Sequence, residues 1–185
     1  MKEISLNILD IAENSYKAMA TLTEVTLDED RDTLTLVIRD DGCGMNEETV
    51  KSVINPFYTT RTTRKVGMGI PLLKLACEQT GGSLTILSKV STDSDNSHGT
   101  TVQAVFFKNH IDCPPLGDVI SSIITLIQGH PDSDLLFIHR INGAEVRLDT
   151  RDMRSVLDDV PLDTYEVICW IRDNLAEQYE ETNKN

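Results

Sequence analysis

An acid and an amide stand four residues apart near the start of the chain, in the string LDIAENSYKA that begins at Leu9. On a helix, Asp10 and Asn14 project from the same face, one turn apart. An amide oxygen is a hard ligand that suits Mg²⁺, which takes its other ligands from water and phosphate. A carboxylate one turn away could serve as a general base if it reaches its proton directly or through one water. An ordinary surface amide and a solvated helix acid are the alternatives, and the motifs that follow decide between these interpretations.

A second acid, Asp40, ends an alternating apolar stretch in the string RDDGCGM that begins at Arg39. It is followed by a turn that contains Gly42 and Gly44 and leads into Met45. Glycine allows the backbone to turn tightly and a ligand to approach closely. Because an Asp-Gly-x-Gly string alone is a common turn, its position at a strand end and its neighbours decide its meaning.

A second glycine pair, Gly67 and Gly69, lies in the string KVGMGIPLL that begins at Lys65. Met68 and Ile70 complete the passage into a predicted helix. The N-terminus of a helix favours anions, since its N–H groups are free and its dipole is positive there. These residues are therefore candidate phosphate contacts.

The segment before that helix, residues 55–69, reads as a loop rich in Thr, Arg and Gly. Arg61, Arg64 and Lys65 make it the densest basic cluster of an acidic chain. They could contact phosphate or dock an acidic partner, and a solvated basic loop is the alternative.

The last string, HGTTV from His98, places Gly99 and Thr100 at the start of a strand. Taken in order, the four strings resemble the ATP-binding domain shared by DNA gyrase, heat-shock chaperones of the ninety-kilodalton class, sensor histidine kinases and mismatch-repair ATPases, the GHKL superfamily. The resemblance covers roughly the first 107 residues. It implies ATP and magnesium as ligands and the histidine-kinase-like ATPase fold.

The resemblance also implies roles for individual residues. The position matching Asn14 holds the metal, and the position matching Asp10 is commonly a Glu that acts as general base. Asp10 is one methylene shorter, so a solvated helix acid is the alternative for it. The position of Asp40 accepts a hydrogen bond from the exocyclic amine of adenine, where guanine would present a second acceptor. The hydroxyl of Thr100 supports that acid directly or through water.

Lys17, three residues beyond Asn14, indicates a branch of the superfamily. Gyrase, chaperone and mismatch-repair members typically carry Asp there, whereas sensor kinases usually carry Lys or Arg. A cation at this place can pair with a phosphate oxygen. The position favours the kinase branch, and a helix-surface ion pair between Glu13 and Lys17 is the alternative.

Hydrophobic periodicity predicts the elements that position these residues. Helices on one face of a mainly antiparallel sheet would give an α+β fold, a two-layer α/β sandwich. The predicted helices cover 4–20, a short stretch after the capping residue Asn46, and 70–80; the strands cover 24–28, 33–39, 83–90 and 101–107.

Pro114 and Pro115 break regular structure and predict a domain boundary near residue 110. We expect a histidine-kinase-like ATP-binding domain over 1–109 and a small acidic α+β domain of unknown role over 110–185. The second part should contain a helix over 116–127, a hairpin over 135–149 that turns at Asn142-Gly143, and helices over 152–158 and 164–180. Trp170 is expected in the core or in an interface.

The net charge of −13 is uneven, since residues 110–185 carry 15 acidic and 6 basic side chains. Such acidity repels phosphate backbones and anionic lipid, so neither nucleic acid nor a membrane is expected as a partner. Four cysteines without C-x-x-C spacing predict a reducing compartment and no structural metal. Without a signal peptide or an apolar run of roughly 20 residues, a cytoplasmic location is expected.

These observations predict a magnesium-dependent, ATP-binding regulatory protein. The first hypothesis is a stand-alone protein kinase in which Asp10 orients an acceptor on another protein, because no helical motif of the phosphoacceptor kind is present. The alternative is an ATP-dependent binding switch, or an anti-sigma-like sequestering protein, with slow or no hydrolysis. Either function requires a protein partner, which the sequence does not identify.

Overall fold

The computed structural model describes residues 3–54, 68–91 and 98–182. The chain forms six helices and six strands within these residues, and the helices pack against one sheet. The elements are α1 (Ile4–Lys17), β1 (Leu22–Glu29), β2 (Thr33–Asp40), α2 (Glu47–Val53), α3 (Gly69–Gln79), β3 (Ser83–Lys89), β4 (Gly99–Phe107), α4 (Val119–Gly129), β5 (Asp134–Ile141), β6 (Ala144–Asp149), α5 (Thr150–Leu157) and α6 (Tyr165–Thr182).

The six strands form one sheet in the order β3-β4-β2-β1-β5-β6. Every neighbouring pair is antiparallel except β1 and β5, which run parallel. This is the predicted mixed α/β architecture, with a mainly antiparallel sheet. The alternation of apolar residues predicted both strands correctly, because buried and less buried residues alternate over the first six positions of β1 and of β2.

Helix α1 lies on this sheet through the apolar face that its sequence predicts, with Ile4, Ile8 and Ile11 buried. It ends at Lys17, before Met19, whose φ of 62° does not continue a right-handed helix.

The first turn of α1 is held by residues far along the chain. The N–H groups of Ile4 and Ser5 donate to the carbonyl oxygens of Pro115 and Leu116, at 3.0 and 2.8 Å. These bonds satisfy helix N-terminal donors that have no partner within the helix. The segment after residue 110 therefore stabilises the helix that carries Asp10 and Asn14.

Residues on both sides of position 110 share one hydrophobic core. Val25 of β1 pairs with Phe137 of β5, and α4 packs on α1. Buried residues of both parts form one cluster, which runs from Ile4 to Leu175. The division into 1–109 and 110–185 thus stays a prediction about independent folding, while the structure places both parts in one sheet.

The predicted elements are present with ends shifted by at most a turn. The Asn46 cap is confirmed, since its side-chain oxygen accepts from the N–H of Thr49 at 2.8 Å. The turn at Asn142 and Gly143 is also confirmed, and both residues have positive φ. No helix among the described residues is both long and apolar enough to cross a bilayer.

Candidate functional site

The carboxylate of Asp40 is held by three donors at the end of β2. Ser15 Oγ donates to Oδ2 at 2.9 Å, and the N–H groups of Gly42 and Thr100 donate to Oδ1 at 3.0 and 3.2 Å. A carboxylate offers about four acceptor positions, two on each oxygen. The contacts therefore fix the carboxylate and leave Oδ2 able to accept one further hydrogen bond.

The local sequence explains why these donors meet. Ser15 lies on the buried face of α1, where a polar side chain needs a partner. Asp40 pairs with Thr100 across β2 and β4, which brings the N–H of Thr100 to the carboxylate. A side chain on Gly42 would place its Cβ 2.8 Å from the Cβ of Ala18, so only glycine allows the turn to lie against the end of α1.

The rest of the Gly-x-Gly turn is anchored to the β3–β4 hairpin. Gly44 has a φ of 67°, and a Cβ on it would lie 1.9 Å from the carbonyl oxygen of Lys89. The N–H of Met45 donates to Ser88 Oγ at 2.8 Å. The predicted turn residues Gly42, Gly44 and Met45 thus connect the end of α1 to the far edge of the sheet.

Thr100 contacts Asp40 directly through its backbone N–H, while support by its hydroxyl through a water stays a prediction. The hydroxyl lies 2.8 Å from Ser88 Oγ, on the neighbouring strand. Side chains stand roughly perpendicular to a sheet, whereas N–H groups lie in it, so the side chain and the N–H of Thr100 reach different partners. The direct hydroxyl contact expected from the resemblance is not made, and the hydroxyl that contacts Asp40 belongs to Ser15.

Asp10 and Asn14 are both exposed on α1, and neither side chain is hydrogen-bonded to another described residue. The N-terminus of α3 lies beside Asp10, since a Cβ built on Gly69 would be 3.5 Å from the Cβ of Asp10. Among the described residues, no side chain caps this helix. The free N–H groups of its first turn and the helix dipole make the start of α3 electrostatically positive, next to the acid.

Lys17 forms the helix-surface ion pair that was its alternative interpretation. Its Nζ lies 3.6 Å from Glu13 Oε2, and Glu13 Oε1 lies 2.9 Å from Nε2 of His130. Burial alone would raise the pKa of Glu13, but His130 and Lys17 together lower it. An exposed pair of this kind contributes only about 0.2–1 kcal/mol, so it does not prevent Lys17 from contacting a phosphate.

The sequence interpretation gave Asp41 no role, yet the structure shows one. Its carboxylate accepts from the N–H groups of Thr21 and Leu22, at 2.7 and 2.9 Å, and from the Thr21 hydroxyl. Burial alone would raise the pKa of Asp41, but these hydrogen bonds outweigh it and lower the pKa below its ordinary value of 3.8. Asp41 therefore ties the start of β1 to the end of β2.

We expect Asp41→Ala to lower the free energy of unfolding by about 0.5–1.5 kcal/mol at pH 7, because it removes three hydrogen bonds and the exposed donors of Thr21 then bond to water. Asp41→Asn keeps one acceptor oxygen, so its free energy of unfolding should fall by less than that of Asp41→Ala. A lowered carboxyl pKa stabilises the fold above the ordinary value and loses this contribution as the pH falls through the lowered one. Urea unfolding should therefore show that the difference in free energy of unfolding between the native protein and Asp41→Asn becomes smaller below pH 4. A difference that is constant from pH 7 to 3 would contradict this role.

Two other residues around the site were not predicted as functional. His98 lies with Nδ1 2.8 Å from the carbonyl oxygen of Gly42, so this nitrogen carries the proton and donates. Ser88 joins Met45 to the β3–β4 hairpin. For Ser15 the sequence did carry a signal, namely a polar residue within the apolar stripe of a helix, whereas Ser88 and His98 had none. Of the other predicted residues, Arg61, Arg64, Lys65 and Gly67 lie outside the described part of the chain.

The described residues suit a magnesium ion held through phosphate better than one held by a protein cage. No group of three or more His, Cys, Asp or Glu side chains within 3–54, 68–91 and 98–182 could hold a metal. The amide of Asn14, which has no partner within the described ranges, offers one hard oxygen. This donor set fits Mg²⁺, which commonly keeps several waters and binds through a few protein oxygens and substrate phosphates.

Comparison with known proteins matches this arrangement to an ATPase family. The sequence model of the histidine kinase-, DNA gyrase B- and HSP90-like ATPases matches residues 1–110. The heme sensor protein HssS of Staphylococcus saprophyticus is 31% identical over 94 residues, which are 50% of this chain. That match spans only 19% of the length of HssS.

Two solved structures share the fold over 80% of this chain. The N-terminal domain of a DNA repair protein superposes with a TM-score of 0.59 at 14% identity, and 53% of that chain is covered. The ATPase domain of MutL from Aquifex aeolicus, solved in complex with ADP, superposes with a TM-score of 0.54 at 15% identity, and 63% of it is covered. At such identities the likeness establishes the fold alone, and here it extends beyond residue 110.

Proposed function

The chain belongs, through its first 110 residues, to the histidine kinase-, DNA gyrase B- and HSP90-like ATPase family, and on this premise we propose that it binds ATP with magnesium between α1, the end of β2 and the start of α3. The observation that carries the proposal is the Asp40 carboxylate, fixed by three donors and left with one acceptor position. A polar group held in this way is suited to reading one hydrogen-bond donor on a base.

Adenine recognition follows from that free position. The exocyclic amine of adenine would donate to Asp40 Oδ2, while the Ser15 hydroxyl and the two N–H groups keep the carboxylate in place. Guanine would present an oxygen to the carboxylate, and two acceptors without a proton between them repel. The site should therefore prefer ATP to GTP.

The phosphates would lie toward Asp10, Asn14 and the start of α3. Asn14 would hold the magnesium ion, which neutralises phosphate charge when bound. The uncapped N–H groups that begin α3 at Gly69 and Ile70 would face the phosphates, and Lys17 could add a cation. Arg61, Lys65, Gly67 and Met68 remain proposed contacts from the intervening segment.

We infer further that the protein is a kinase that acts on another protein. Asp10 is exposed, unpaired among the described residues and adjacent to the proposed phosphate site. A general base must be accessible in this way if it is to contact an acceptor on another protein. The second candidate is an ATP-dependent binding switch. It is favoured by the short reach of Asp10, since a base too far from its proton cannot catalyse the transfer.

Asp10→Asn separates the two candidates. If Asp10 is the base, turnover should fall by about 10²–10⁴-fold while ATP affinity changes by less than about threefold. The measurement follows γ-labelled ATP with magnesium, with and without cell extract, into free phosphate, this chain or another protein. Asp112→Asn, an exposed acid between β4 and α4, is the matched control and should leave turnover unchanged.

The outcomes are distinct. Label transferred to another protein by the native chain, and lost in Asp10→Asn, supports the kinase. Tight ATP binding with no label transfer or phosphate release contradicts the kinase and favours the switch. Asn14→Ala should weaken binding of ATP in the presence of magnesium but not in its absence, and equal weakening in both would contradict the metal assignment.

A further inference from the structure

An apolar groove of about 540 Å³ lies between α5 and α6. We call it the α5–α6 groove. Helix α5 packs on β5 and α6 packs on β6, so the groove lies at the end of the sheet opposite β3. Its walls are apolar side chains of both helices: Met153, Val156, Leu157, Val167 and Trp170. The groove uses none of the residues assigned to the nucleotide site.

Large apolar side chains that are not part of the buried core are exposed at the groove. Trp170, the only tryptophan of the chain, is 54% exposed, and Val156 is 81% exposed. Helix α6 is already anchored by other residues, since Ile168, Ile171 and Leu175 are buried. Of the two expectations for Trp170, core or interface, the core is therefore wrong, and the interface stays a prediction. Trp170 and Val156 thus present apolar surface at the groove that an apolar partner could cover.

Two carboxylates line the groove, those of Asp152 and Glu166, and we call them its acidic rim. Asp152 is paired with Arg147 at 3.1 Å. Residues 150–182 carry nine acidic and three basic side chains. Two of the three cations are occupied within the protein, because Arg151 lies 2.8 Å from Asp149 and Arg154 lies 2.8 Å from Asp134. Glu166 lines the groove and forms no ion pair with another residue in the described ranges.

We propose that the α5–α6 groove binds a segment of a partner protein that presents apolar side chains flanked by Lys or Arg, such as a basic amphipathic helix. The apolar side chains would cover Trp170 and Val156, and the cations would pair with the acidic rim. A second copy of this chain is a poor occupant, because each copy carries a net charge of −13 and an acidic rim of its own. The proposal does not depend on nucleotide binding.

Trp170 makes the proposal directly measurable, because it is the only tryptophan and its emission shifts to shorter wavelength when an apolar ligand covers it. The full chain, without nucleotide, is titrated with a tryptophan-free amphipathic Leu/Lys helix of about 18 residues, or five turns. The matching Leu/Glu helix is the charge control. We expect a saturable blue shift with the Leu/Lys peptide, weakened at high salt, and none with the Leu/Glu peptide.

Two pairs of variants locate the binding. Glu166→Lys should lower the affinity for the Leu/Lys peptide by about tenfold or more. Glu48→Lys makes the same change on α2, near the opposite edge of the sheet, and should change this affinity by less than about twofold. Val156→Ser should weaken binding, and Ile111→Ser, at a residue that is 95% exposed but outside the groove, should not.

Three results would overturn the proposal. They are equal shifts with both peptides, equal losses in Glu166→Lys and Glu48→Lys, and a dimer in sedimentation whose formation itself shifts the emission of Trp170. The last result would assign the groove to a second copy of the chain. Because no nucleotide is present, failure here leaves the ATP proposal standing, and failure of ATP binding leaves this one standing.

Discussion

Replacing Asp40 with Asn should weaken ATP binding by about 10–100-fold and remove the preference for adenine, while the fold remains intact. The remaining oxygen of Asn can still accept from the N–H groups of Gly42 and Thr100, and its amide can donate to Ser15. However, the side-chain NH₂ of the new Asn would face the exocyclic amine of adenine, and two donors cannot form a hydrogen bond with each other. Loss of a hydrogen bond to a charged acceptor costs about 1.5–3 kcal/mol, which gives this range of affinity.

Calorimetric titration with ATP and GTP, each with magnesium, measures the change. The ratio of ATP affinity to GTP affinity should fall, because guanine offers an acceptor to the new donor. Asp41→Asn is the matched control, since it makes the same chemical change one residue further along. Its carboxylate faces Thr21 and Leu22, so ATP affinity should stay within about threefold. Equal losses in both variants, or no loss in Asp40→Asn, would contradict the adenine assignment.

Replacing Gly99 with Ala should have the largest effect on stability. Gly99 has a φ of 118°, a conformation that side chains rarely adopt, and a Cβ there would lie 1.9 Å from the carbonyl oxygen of Asp40. Backbone must move to relieve that contact, and β2 and β4 would separate where Asp40 and Thr100 meet. We expect the free energy of unfolding to fall by about 3–5 kcal/mol, and ATP affinity to fall with it.

Gly129→Ala provides the control for Gly99→Ala. Gly129 ends α4, and nothing lies within 4 Å of a Cβ built there. This substitution should change the free energy of unfolding by less than about 1 kcal/mol, with slight stabilisation from reduced freedom of the unfolded chain. Urea unfolding of both variants measures the difference. Similar stability of the two variants would show that the tight contact at Gly99 is not a constraint on the fold.

The sequence predicted the elements of the proposed nucleotide site better than the contacts between them. Alternation gave β2 and its final acid because burial on one face leaves a period of two in any half-buried strand. The Asn46 cap and the Asn142-Gly143 turn were predictable for the same reason, since their physics is local. Such features depend on residues close together in the chain.

Contacts between distant residues were not predictable in this way. Ser15 donates to Asp40, 25 residues away, and periodicity identified Ser15 only as part of a buried helix face. Pairing of β1 with β5 joins residues such as Val25 and Phe137. Periodicity shows which face of a strand is buried but not which strand lies beside it, so the sheet that joins both parts of the chain could not be deduced.

The hydrogen bonds that cap α1 could not be predicted from the sequence either, because their partners are distant in the chain. Pro115 was interpreted as a domain boundary because proline breaks regular structure. In the structure its carbonyl oxygen accepts from the N–H of Ile4 and completes the first turn of the helix that carries the proposed metal ligand. A segment that ends regular structure locally can thus support a helix elsewhere.

A crystal structure of the chain with magnesium and a non-hydrolysable ATP analogue would decide whether Asp40 and Asn14 share one nucleotide site. We expect the adenine amine within hydrogen-bond distance of Asp40 Oδ2, the metal at the amide oxygen of Asn14, and the phosphates at the start of α3. Adenine bound away from Asp40, or a metal held without Asn14, would contradict it.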